Sequence, residues 1–205
     1  MHGIFQSSDN GSTFTRVEGL GNNKYVDCLG SNSTFAFSHI RDLGFYRSLN
    51  GTTWFTKSVP NRVLSIFSTD GFNLFIGTEE QGVFLSTDNG DTWIAKNNGL
   101  SGADLTVRCF AVIGNDLYIG TDGGVYLSQD TGDTWTNISS GIPSGHQNLV
   151  FASNNGDLFL GTDVNSVFYK HGQTTTTTTT LSPSRGRHRK RSVKSIHNNT
   201  HGLPT

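Results

Sequence analysis

Ser86-Thr87-Asp88-Asn89-Gly90-Asp91-Thr92-Trp93 returns 42 residues later as Ser128-Gln129-Asp130-Thr131-Gly132-Asp133-Thr134-Trp135. Two looser copies precede them. Ser7 to Phe14 keeps Asp9 and Gly11 and closes on Phe14 in place of Trp. Ser48 to Trp54 is one residue shorter, with Asn50 for Asp and Gly51 for Gly. The shared pattern, S-x-[DN]-x-G-x-T-[WF], states its own local chemistry. A carboxylate or amide three residues into a turn accepts hydrogen bonds from backbone N–H groups ahead of it. The glycine takes a positive φ without steric cost. The threonine suits the strand that starts there, and the aromatic opens an apolar face. Each copy therefore reads as a hairpin: strand, carboxylate-locked turn, strand. In this reading Asp9, Asn50, Asp88 and Asp130 lock turns and bind no metal, since the alternate acidic ligands and distant Glu of a calcium loop are missing.

The aromatics Phe14, Trp54, Trp93 and Trp135 are spaced 40, 39 and 42 residues apart. A period near 40 without helical patterning predicts an all-β propeller with one four-stranded blade per repeat. A first strand falls at residues 25–29, 63–67, 107–112 and 149–152. A second falls at 35–38, 74–78, 117–121 and 158–162, where Leu-Phe-Ile-Gly-Thr and its variants recur. A third precedes each octapeptide, and a fourth begins at its Thr and aromatic. Apolar first and second strands imply burial on both faces; the polar fourth strand implies a solvated edge. Seventeen strands are expected, or about four blades. They form either a small closed ring or a fragment of a larger propeller, and an open arc would associate with itself through its uncovered apolar faces.

The octapeptides, with the surrounding Gly-Thr-x-x-Gly-Val-[FY]-x-Ser-x-Asp-x-Gly-x-Thr-Trp, resemble the Asp-box (bacterial neuraminidase) repeat over nearly all of residues 1–173. The repeat looks most like those of the photosystem II assembly and stability factors and of xyloglucanase-type propellers. In such families the boxes, here including Gly11, Gly51, Gly90 and Gly132, lie away from the active site. The resemblance implies a fold strongly and an activity weakly, because sialidases, xyloglucan-active hydrolases and sortilin-type receptors all carry the box.

Composition fits many short strands and tight turns, with 25 Gly, 14 Phe and only 4 Pro among 205 residues. The net charge of −1 hides an asymmetry: all 16 acidic side chains lie before residue 174, while six of the 15 basic ones lie after it. Residues 1–172 are read as the propeller. Residues 173–205 hold seven consecutive threonines and the run Arg185-Gly186-Arg187-His188-Arg189-Lys190-Arg191, a composition that cannot order itself and whose charge suits contact with anions. Sequons at Asn10, Asn32, Asn50, Asn137 and Asn198, with the threonine stalk, point toward a secreted chain, although no signal peptide precedes the first strand. Cys28 and Cys109 stand two repeats apart, too far for a disulfide, and are expected as buried free thiols. No apolar run reaches the ~20 residues of a membrane helix.

The chemistry-bearing residues are few. Glu79 and Glu80 follow a second strand, and Asp122 and Asp163 occupy the equivalent loop positions in later repeats, which makes an acidic rim at one mouth for a glycan or peptide. Repetition argues against catalysis, since catalytic residues are singular. His39 and His146 read as lone loop histidines without metal spacing. Arg16, Arg41, Arg47, Arg62 and Arg108 are scattered, and none has the Arg-Ile-Pro context of a sialidase. The reading is a non-catalytic scaffold or ligand-binding propeller for a protein or glycan, with no cofactor, metal or catalytic residue. The alternative is a glycoside hydrolase of sialidase or xyloglucanase type, whose mark would be a singular carboxylate pair or arginine cluster converging on one mouth.

Overall fold

The computed structural model describes residues 3–18, 20, 24–142, 147–154, 156–163 and 167–170, the backbone alone at 148, 149 and 167–170. The threonine-rich and basic segment, the boundary at residue 172 and His146 lie outside them. The described residues form seventeen strands: β1 (Phe5–Gln6), β2 (Thr15–Arg16), β3 (Val26–Ser31), β4 (Ala36–Ile40), β5 (Gly44–Ser48), β6 (Phe55–Lys57), β7 (Val63–Ser68), β8 (Leu74–Thr78), β9 (Val83–Ser86), β10 (Ile94–Ala95), β11 (Val107–Ile113), β12 (Asp116–Thr121), β13 (Val125–Ser128), β14 (Thr136–Asn137), β15 (Asn148–Asn154), β16 (Asp157–Thr162) and β17 (Val167–Lys170). Among the described residues the one helical element is a 3-10 turn at Gly102–Leu105. The strands form antiparallel meanders: β1-β2, then the four-stranded β3-β4-β5-β6, β7-β8-β9-β10 and β11-β12-β13-β14, then β15-β16-β17. These are propeller blades.

Hydrogen bonds in the four octapeptide turns are nearly superimposable. The serine hydroxyl accepts from the glycine N–H at 2.8, 2.9, 2.7 and 2.7 Å in chain order. Asp9, Asp88 and Asp130 each accept from a threonine N–H at 2.8, 2.8 and 2.9 Å and from the same threonine's hydroxyl. Those bonds stabilise the ionised form and bring each of these carboxyls down to about 2. Asn50 accepts from Thr52 and Thr53 N–H instead, at 3.0 and 2.9 Å.

The aromatic that closes each turn does not lead off the fourth strand. The fourth strands start two residues later than the pattern predicts, because the aromatic swings back onto the preceding sheet. Trp135 is buried against Phe75 and Leu85, its N–H donates to Asn98 O at 2.9 Å and its Nε1–H to Lys96 O at 2.8 Å. Trp93 meets the edge of Phe45 at 5.9 Å between centroids and Trp54 packs with Ile4, Val17 and Leu20. Trp54 and Trp93 are half-buried, and Phe14 is 65% exposed, with no earlier sheet beneath it among the described residues. The fourth strands β6, β10 and β14 are solvated, as expected for edges.

The second strands β4, β8 and β12 are buried almost throughout and β16 only at Leu158 and Leu160, whereas first strands alternate: Val63 and Ser65 are buried and Leu64 is not. Each first strand lies at a margin of its sheet, so alternate side chains reach water. Every first strand also carries a bulge at the same place, between Val26 and Cys28, Val63 and Ser65, Val107 and Cys109, and Asn148 and Val150. The extra residues are Asp27, Leu64, Arg108 and Leu149. A bulge re-aims the side chain it inserts, and for Asp27, Leu64 and Arg108 it does so at the end of the blades opposite the octapeptide turns.

Candidate functional site

At that end, an open pocket of about 270 Å³ is lined by Val26, Asp27, Arg41, Arg62, Leu64 and Arg108. Three of the six are bulge residues. Asp27 is the centre, with a side chain only 3% exposed. Its Oδ1 accepts from Arg41 Nη2 and Arg62 Nη2, each at 2.7 Å, and from Arg41 Nε at 3.1 Å. Its Oδ2 accepts from Arg62 Nε at 3.0 Å and lies 3.1 Å from His39 Nδ1. Burial disfavours the charge, but the bonds from Arg62 and Arg41 outweigh it and hold the carboxyl at about 2. Arg62 Nη1 also reaches both Glu79 oxygens at 3.4 Å. Arg62 is pushed above the usual arginine range, first by its bonds to Asp27. Arg108 pairs bidentately with Asp122 through Nε and Nη2, the latter at 2.9 Å. Burial lowers the pKa of His39, against the pull of Asp27, so its ring is neutral at pH 7.

The expected acidic rim takes a specific place in this arrangement. Glu79, Asp122 and Asp163 follow the ends of the second strands, and their N–H groups donate to the carbonyls of Arg62, Thr106 and Gln147 at 2.9, 3.1 and 3.2 Å. The same bond in the first blade runs from Arg41 N to Tyr25 O at 2.8 Å. Arg41 thus holds the place that is acidic in every later blade. The carboxylates of Glu79 and Asp122 face arginines, and Asp163 Oδ1 accepts from Gln147 N at 3.1 Å. Glu80 sits at a φ of +65° beside them, its N–H on Thr106 Oγ1 at 3.2 Å.

His39 is no loop histidine: it lies buried in β4, where Gly77, Gly120 and Gly161 stand in the other blades. At Gly77 a glycine is required, since a Cβ there would sit 2.4 Å from Ser65 Oγ and 2.6 Å from Val107 O. Asp27, His39, Arg41 and Arg62 therefore form a singular constellation on a repeating frame. Asp27 was not visible as a functional residue in the sequence, and the three arginines, 21 and 46 residues apart, gave no local signal. The signal that could have found them is departure from the repeat once the blades are aligned.

The octapeptide turns are elsewhere. They cap the opposite end and tie blade to blade: Lys57 pairs with Asp91, Lys96 with Asp133, and Asn32 Nδ2 donates to Asn89 Oδ1 at 2.7 Å. Cys28 Sγ donates to Val63 O at 3.4 Å just as Ser65 Oγ donates to Val107 O at 3.2 Å. Both cysteines are free thiols, and burial pushes each up to about 12. Among the described residues no group of His, Cys, Asp and Glu is arranged to hold a metal, and no helix is long and apolar enough to cross a membrane.

Comparison with known proteins agrees with the architecture. The DUF6242 beta propeller domain family model matches residues 75–190. No curated protein sequence is significantly similar. Among solved structures, the extracellular domain of the one-component system BT4673 from B. thetaiotaomicron superposes with a TM-score of 0.64 at 18% identity, over 82% of this chain and 23% of its own. YCF48 bound to D1 peptide gives 0.63 at 11% identity, over 87% of this chain and 62% of that one. The GH74 enzyme of Niastella koreensis gives 0.61 at 20% identity, over 86% and 34%. This chain thus spans less than two thirds of each of these structures, and at these identities the likeness is one of fold.

Proposed function

This chain belongs to the DUF6242 beta propeller domain family, and from that premise we propose that it is a non-catalytic binding module that holds a protein or glycan partner at the Asp27 mouth. The octapeptide turns, read as Asp boxes, are the frame of this module and not its site. The observation that carries the reading is a convergence at one end: Asp27, His39 and Arg41 of one blade each stand where the other blades carry a different type of residue, and they meet Arg62 of the next. Among the described residues, Nη1 of Arg41 and Nη1 of Arg108 have no hydrogen-bond partner. Guanidinium groups already fixed by carboxylates lose little freedom on accepting a ligand's acidic group, which favours bidentate recognition. Val26 and Leu64 add apolar lining beside them.

Hydrolysis of a glycosidic bond by two carboxylates requires one of them to be protonated at working pH. Arg41, Arg62 and Arg108, scattered in the sequence, do converge on this mouth, which is one of the two marks set for a hydrolase; what weighs against that alternative is that Asp27, held ionised down to about 2 by two of these arginines, is suited to orient them and not to donate a proton. A protein of similar fold, YCF48, is seen bound to a D1 peptide, which supports a protein ligand as one form of the partner. The test is a panel of immobilised peptides and oligosaccharides, each with and without acidic groups, probed with the parent protein and an Arg41→Ala, Arg108→Ala double variant. Retention on an acidic subset, lost in the variant, supports the reading. An unchanged pattern in the variant, or reducing sugar or sialic acid released by the purified protein from xyloglucan or sialosides, overturns it.

A further inference from the structure

The three arginines of the mouth differ in what they have left to give. Arg62 engages Asp27 through Nε and Nη2 and Glu79 through Nη1. Arg41 engages Asp27 through Nε and Nη2, and Arg108 engages Asp122 through the same two atoms. On Arg41 and Arg108 the edge formed by Nη1 and the second hydrogen of Nη2 therefore lies on the far side of the guanidinium from its carboxylate. Two parallel N–H groups on one edge are the shape that a carboxylate accepts. The Tyr25 ring, 5.4 Å from the Arg41 guanidinium carbon, helps hold that edge in place.

Charge around these edges is already answered by contact. Asp27 meets Arg41 and Arg62, Glu79 meets Arg62, and Asp122 meets Arg108. His39, beside Asp27, is neutral at pH 7. A group with one negative charge can take the open edges against little repulsion. A phosphate ester, with a charge of about −1.5 to −2, would approach the same carboxylates without a surplus of arginine to offset them.

The remaining lining separates a peptide from a glycan. Val26 and Leu64 offer apolar surface and no side-chain acceptor for sugar hydroxyls, and the carboxylates that could accept are turned to arginines. The methylenes of an acidic side chain match that surface. A pocket of about 270 Å³ has room for a side chain of that size. The strands β3, β7 and β11 that frame it each lie at the margin of a sheet, with one edge that no strand of that sheet pairs. An extended main chain can pair with such an edge, whereas a glycan has no series of amides to match it.

We propose that the mouth takes a single carboxylate on an aliphatic stem, the side chain of a glutamate or aspartate in an extended peptide segment of a partner protein, received on the open edges of Arg41 and Arg108 with its methylenes on Val26 and Leu64. This rests on the reading of the mouth as the binding site, and it fixes the ligand's charge and polymer class.

The experiment is an NMR titration of the full chain that follows the guanidinium signals of Arg41 and Arg108. The probes are blocked peptides Ala-Ala-x-Ala-Ala, with x as Glu, Gln or phosphoserine, and an oligogalacturonide as a carboxylate-bearing glycan. The Glu peptide should shift both signals saturably, and the Gln peptide should bind roughly tenfold more weakly or worse. The phosphoserine peptide should bind no more tightly than the Glu peptide, and the oligogalacturonide should leave both signals in place. Arg41→Lys keeps the charge and removes the fork, so it should weaken the Glu peptide roughly tenfold; unchanged fluorescence of Trp93 and Trp135 verifies its fold. Equal binding of the Glu and Gln peptides, tighter binding of the phosphoserine peptide, or full affinity in Arg41→Lys would overturn the single-carboxylate assignment. An oligogalacturonide that shifts both arginines as readily as the Glu peptide, or more so, would overturn the peptide class and leave the mouth as the binding site. Unmoved arginine signals with all four probes would overturn the proposal and that reading together.

Discussion

Replacing Asp27 by Asn removes one charge and keeps the shape at the centre of the mouth. The magnitude follows from the carboxyl's own titration. In the unfolded chain it takes up a proton near the ordinary value of 3.8, and in the folded protein it holds off to about 2. A group whose pKa is lowered by folding contributes stability that is complete above the unfolded value and is lost as the pH falls through the folded one. The difference corresponds to about 2 kcal/mol at pH 7, one pH unit being worth ~1.4 kcal/mol. The side chain is almost wholly buried, so solvent screens it little, although Arg41 at 47% exposure contributes less than Arg62. Equilibrium unfolding in urea reads the effect directly. With a slope of roughly 1–3 kcal/mol per molar for a domain of this size, the midpoint should fall by about 1 M. The comparison belongs at pH 7, where His39 is neutral, and the gap should close as the pH is brought from about 4 to about 2. Equal midpoints at pH 7, or a gap that persists at pH 2, would refute the claim that ionised Asp27 holds the arginines.

Three further outcomes follow from the frame. Thr131 stands at a φ of +59°, where the matching turns place Asn10 and Asn89, and a β-branched residue is strained there; Thr131→Asn should stabilise the fold by roughly 1 kcal/mol, read as a higher urea midpoint, and a lower midpoint would contradict the turn account. Gly77→Ala drives a Cβ against Ser65 Oγ and Val107 O, so it should cost roughly 1–3 kcal/mol by overpacking, read in the same urea titration; a neutral outcome would mean that β8 does not approach the next blade as described. Cys109, with its thiol raised to about 12, should resist iodoacetamide in the native protein and react fully in urea, and rapid native alkylation would place it outside the core.

The frame was legible because its information is local. Ser86 to Trp93 contains the hydroxyl, carboxylate, glycine and threonine that satisfy one another within eight residues, and its recurrence set the blade period and the strand order. The pattern erred where a residue's partner lies in another blade. Trp135 reads as the first residue of a strand, yet its backbone and ring both bond to the preceding blade. His39 reads as a loop residue because the histidine replaces the glycine that marks this strand in the other blades. The mouth was harder still. Glu79 and Asp122 were legible as a recurring acidic position, but their arginine partners lie 17 and 14 residues away. Asp27 and Arg62 are 35 residues apart and meet only because neighbouring first strands bulge side by side. A single repeat carries no trace of that meeting; only the failure of the first blade to match the others does.

The central claim is that ligand enters at the bulged ends of the first strands and not at the octapeptide turns. Amide hydrogen exchange resolved along the chain, with and without the acidic peptide or oligosaccharide selected from the panel, tests it most directly. The account predicts slower exchange confined to residues 25–28, 41–43, 62–64, 79–82 and 106–108, with the turns at 86–93 and 128–135 unchanged. Slower exchange at those turns, with the mouth unaffected, would contradict it.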